Sequence, residues 1–113
     1  MNMKNNIKEV RNYQTSSGDI PFRKWLFSLK DTRIRATIYA RIDRLRQGNF
    51  GDYKNLGEGI NELKVHYGPG YRIYFSQLDN IIIILLCGGI KKSQSQDIKK
   101  AKEFWQDFKN RNL

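Results

Sequence analysis

At 113 residues the chain is long enough to bury a modest core unaided and short enough to be one domain, residues 1–113. A hydrophobic content of 39% with six Phe, six Tyr and two Trp excludes a disordered polyelectrolyte. Its 21 Lys and Arg outnumber 11 Asp and Glu, for a formal net charge of +10, so the expected partners are polyanions: nucleic acid, acidic protein or anionic surface.

The lone cysteine, Cys87, rules out a disulfide framework or a thiolate zinc site and reads as a small buried hydrophobe. "MNMKNNIKEV" has no apolar stretch of signal-peptide length, and the longest apolar run, Ile81 to Cys87, is too short to span a bilayer. The expectation is a cytoplasmic protein with no membrane partner.

Ile7 to Tyr13 reads as a first strand. "SSGD" then supplies a turn and an N-cap at Ser17 or Asp19, with Pro21 in the first helical turn. Phe22, Trp25, Leu26 and Leu29 follow at helical spacing. Asp31 caps a second helix whose apolar stripe is Ile34, Ile38, Ile42 and Leu45, and Gly48 ends it. Arg33, Arg35, Arg41, Arg44 and Arg46 stand around that stripe, as a solvated face or, at Arg35, as a contact to RNA. "GNFGDYKNLGEG" lacks the Gly-Lys-Ser/Thr ending of a phosphate loop and reads as a connection. Strand signals cover Ile60 to Tyr67, Tyr71 to Gln77 and Ile81 to Cys87, the last apolar throughout and so expected to be covered on both faces. Asp79-Asn80 suits a tight turn. A last helix from about Gln94 to Lys109 carries Ile98, Ala101, Trp105 and Phe108 inward. The class is α+β: two helices, an antiparallel meander and a terminal helix.

The segment "ELKVHYGPGYRIYF" holds the candidate site. With Gly68-Pro69-Gly70 as the loop, Tyr67 pairs with Tyr71, Val65 with Ile73 and Leu63 with Phe75, which makes one face apolar. The other face pairs His66 with Arg72 and Lys64 with Tyr74. Two permanent cations, an imidazole and a phenol on one open face suit a phosphate flanked by a base, or simply a polar sheet surface. "CGGIKKSQSQDI" then presents Lys91 and Lys92 at the start of the last helix, a second anion-favouring feature.

Taken in order, "GNFGD", "EL-K", "GPGYRIYF", "LL-GG-KKSQ-QDI" and the alanine of the last helix resemble the HigB-like addiction-module killer proteins, a phage-associated branch of the RelE/ParE toxin superfamily. The likeness runs from about Asp19 to Trp105. It implies a twisted antiparallel sheet with two N-terminal helices and a C-terminal helix. It also implies a toxin of a type II toxin–antitoxin system, inhibited by a cognate helix-turn-helix antitoxin. Its action would be metal-free and cofactor-free cleavage of messenger RNA on the ribosome, by attack of the 2′-hydroxyl on the adjacent phosphate. By resemblance, Arg72 matches the phosphate-binding arginine, Lys64 a basic position on the preceding strand, and Lys92, with Lys91 as alternate, the cation after the glycine turn. RelE's tyrosine in the last helix corresponds to Ile98 here, and His66 is the only histidine, so the base is either His66 or Lys64. Tyr74, and Tyr71 if it leaves the core face, would stack an RNA base. ParE relatives share the fold and poison DNA gyrase, which is the alternative target.

Overall fold

The computed structural model describes residues 7–113. Strand β1 (Glu9–Asn12) leads to helices α1 (Pro21–Ser28) and α2 (Thr32–Arg46). Strands β2 (Tyr53–Gly57), β3 (Ile60–Val65), β4 (Tyr71–Leu78) and β5 (Ile82–Ile90) follow. A single 3₁₀ turn (Lys91–Ser93) then opens α3 (Gln94–Asn112). The class is α+β, but the sheet is mixed rather than wholly antiparallel. Its order is β1-β5-β4-β3-β2, with β1 parallel to β5 and every other pair antiparallel.

Several local expectations hold for the expected reasons. Asp31 caps α2 by accepting from the Arg33 amide, and Ile34, Ile38, Ile42 and Leu45 are all buried beneath it. Asp79 and Asn80 both take positive φ, 51° and 57°, in the turn that joins β4 to β5. Other expectations are corrected. The residue before α1 is Ile20, with no side-chain cap, because Asp19 is occupied in a turn where its amide donates to Thr15 Oγ1. The first strand is only Glu9–Asn12, with Tyr13 buried beyond it and Ile7 exposed. The glycine-spaced connection contains an edge strand, β2, whose mostly exposed polar residues carry no alternating signal.

The two sheet faces are covered differently. Leu63, Val65, Ile73, Phe75 and Leu85 pack under α1 and α2. Ile60, Tyr74, Ile84 and Leu86 pack under Ala101 and Trp105 of α3. Gly88 and Gly89 let both layers approach β5. A Cβ on Gly88 would sit 2.3 Å from the Trp25 ring, and one on Gly89 would sit 1.8 Å from Asp97 Oδ2.

Candidate nucleic-acid cleft

The β3–β4 hairpin is shifted by two residues from the expected register. Val65 pairs with Tyr71, Lys64 with Arg72, Leu63 with Ile73 and Glu62 with Tyr74. A two-residue shift preserves which face each side chain takes, so the apolar set stays together. The partners change, however, and His66 moves off the strand into a five-residue connection from His66 to Gly70. Within that connection the Gly70 amide donates to the Tyr67 carbonyl at 3.0 Å. The Gly70 carbonyl accepts from the Lys91 amide at 3.1 Å, which seats the hairpin tip on the 3₁₀ turn.

This docking builds an open depression lined by Lys64, His66, Tyr67, Arg72 and Lys91 around the glycine-proline tip. Lys64, His66, Arg72 and Lys91 are therefore brought together, as the sequence suggested. Lys92 is not: it lines a separate shallow surface with Ile90, Ser93 and Gln96. Lys91, the alternate, is the one at the depression. Arg35 lies elsewhere, on α2, where its guanidinium donates to the Leu29 carbonyl and ties the α1–α2 connection down.

Tyr74 is also corrected. It is fully buried on the α3 side, and its hydroxyl donates to Glu62 Oε2 at 3.1 Å, so it offers no ring to a base. Burial, with the Glu62 carboxylate beside it, pushes the Tyr74 hydroxyl far above the ordinary phenol range. The Tyr74 end of the expected open polar face is thus covered by α3, where Glu62 is 1% exposed, and Arg72 beside it is only 8% exposed. Tyr71 is buried in the α1/α2 core.

Two neighbours of the depression gave no sequence signal. Asp52, in the loop before β2, is an ion-pair partner of His66 Nε2 through its Oδ2. That hydrogen bond holds the Asp52 carboxyl below its usual range. Asp52 is placed by its backbone: its carbonyl accepts from the Lys64 amide at 2.9 Å. Arg41 of α2 braces the same loop, donating to the carbonyls of Lys64 and Phe50, the latter at 3.2 Å. A pairing between a loop residue and a hairpin residue has no sequence spacing to betray it.

Chemically, the depression offers three cations beside an imidazole whose Nε2 pairs with the neighbouring Asp52 carboxylate. With Nε2 turned to Asp52, Nδ1 is the ring nitrogen left on the other side of the imidazole.

No helix among the described residues is long and apolar enough to cross a membrane. No family model matches the chain. A protein of Haemophilus influenzae described as uncharacterized is 48% identical over 89 residues, covering 79% of this chain and 90% of that relative. The chain belongs to the same family as that Haemophilus influenzae protein.

Proposed function

We propose that the protein is a HigB-like toxin of a type II toxin–antitoxin pair, in the RelE/ParE superfamily, and that it cleaves messenger RNA on the ribosome. The observation that carries this reading is His66, paired with the neighbouring Asp52, in one open depression with Lys64, Arg72 and Lys91. The family resemblance of the glycine-proline hairpin and the "GG-KKSQ" segment supports it.

In the proposed reaction, His66 Nδ1 takes the proton of an RNA 2′-hydroxyl, and O2′ attacks the adjacent phosphorus. The bond from phosphorus to the 5′-oxygen breaks, that oxygen takes a proton from water, and the imidazolium returns its proton to the hydroxide so formed. The products are a 2′,3′-cyclic phosphate and a 5′-hydroxyl end. Asp52 stabilises the imidazolium and orients the ring, which favours His66 over Lys64 as the base. Lys64, Arg72 and Lys91 stabilise the charge developing on the phosphorane. The +10 charge suits both RNA and an acidic antitoxin segment laid over the cleft.

Single-turnover cleavage on programmed ribosomes tests this. His66→Gln is expected to slow cleavage by about 10²–10⁴-fold, the usual span for general acid–base catalysis. Lys64→Gln is expected to weaken the reaction by less, since it removes one of three cations and leaves the imidazole in place. Wild-type activity in both variants would sink the mechanism. Inhibition of DNA supercoiling with no cleavage by any form would replace it with the gyrase-directed alternative.

A further inference from the structure

The α3 side of the hairpin contains a buried carboxylate that the mechanism above does not use. Glu62 Oε2 accepts from the Tyr74 hydroxyl at 3.1 Å and from Gln94 Nε2 at 2.7 Å. The same oxygen lies 3.7 Å from Arg72 Nε. That is an ion pair without a hydrogen bond, since such bonds have donor–acceptor distances of about 2.7–3.2 Å. Glu62 Oε1 and Arg72 Nε have no hydrogen-bond partner among the described residues. A buried carboxylate is costly unless paired, and this one is braced by two neutral donors and aimed at a guanidinium. The guanidinium itself reaches the cleft: a Cβ on Gly70 would lie 3.8 Å from Arg72 Nη1.

We propose that Glu62, braced by Tyr74 and Gln94, is the positioning residue for Arg72. The carboxylate restrains the Nε side of the fork and leaves the terminal nitrogens facing the depression, where a phosphodiester of single-stranded nucleic acid would accept from both. Gln94 is the first residue of α3, so the seating of that helix becomes a condition for the aim of the arginine. The ligand class rests on the functional reading above; the restraint of Arg72 does not.

The test uses an uncleavable probe, a fluorescent thymidine hexadeoxynucleotide, and the full chain. Gln94→Ala is expected to weaken binding about three- to tenfold in the wild-type background and to have no further effect in an Arg72→Lys background, the non-additivity of residues in one network. In parallel, ¹⁵N relaxation of the Arg72 Nε–H group should show an ordered side chain in the wild type and a mobile one in Gln94→Ala. Equal weakening in both backgrounds, or an Arg72 side chain equally ordered in both proteins, would overturn the proposal. Should the wild type bind no hexamer, the nucleic-acid reading of the cleft fails, and the relaxation comparison still decides whether Glu62 and Gln94 position Arg72. Thermal melting of each variant separates loss of aim from loss of fold.

Discussion

The two faces of one sheet solve the problem of burial in opposite ways. The face under α1 and α2 is built mainly from apolar side chains that interlock, Phe75 lying 5.6 Å from Phe50 between ring centroids. The face under α3 mixes a comparable apolar cluster with Glu62, Arg72 and Ser76, all buried. Apolar packing needs only complementary volumes, whereas buried polar groups need particular partners at particular distances. The first face is therefore a foundation, and the second a device that has to be kept in adjustment.

The largest expected effect lies on the foundation. Phe75→Ala should cost about 3–5 kcal/mol of stability in urea denaturation, as deletions of buried aromatic rings do. A loss near zero would mean the two faces do not differ as described. On the opposite face, Glu62→Gln keeps the shape but removes the charge beside Arg72, and should cost about 1–3 kcal/mol. The same logic corrects an obvious experiment: Arg72→Ala would strand the Glu62 carboxylate, so its loss of activity would not be separable from loss of fold.

Alkali should find the α3 face as well. Burial, with Asp97 nearby, pushes the Cys87 thiol from an ordinary 9.0 up to about 12. The folded state favours the neutral thiol, so this contribution is whole below pH 9.0 and is lost as pH rises towards about 12. Urea midpoints measured from pH 8 to 11 should fall, and fall less steeply in Cys87→Ala; parallel curves would remove Cys87 from the account. The smallest stability effect belongs to the exposed Asp52–His66 pair. Asp52→Asn should leave the melting temperature at pH 7 unchanged within error while slowing the proposed RNA cleavage, because such surface pairs add little stability. A clear drop in melting temperature would recast the pair as structural.

How legible the molecule was in its sequence follows the same division. Ile34, Ile38, Ile42 and Leu45 announced their burial by period alone, and Lys64, His66, Arg72 and Lys91 lay close enough in the chain for a hairpin to gather most of them. What escaped depended on distant partners. The hairpin register was misjudged because a three-residue and a longer connection place the same residues on the same faces. Tyr74 looked available because nothing local announces that α3 lies over it. Asp52, Gln94 and Arg41 act through contacts made only once the sheet has formed.

The parallel pairing of β1 with β5 carries a consequence for the order of events during synthesis. Glu9 finds its ladder partner at Ile82, across nearly the whole sheet-forming part of the chain. An N-terminal strand emerging early thus has no neighbour until β5 has followed, and closing so long a loop is a late and slow step. The hairpin can form before then, yet α3, which carries Gln94, emerges only after β5. Assembly of the braced arginine therefore waits for α3, and a chain interrupted before that helix would lack it.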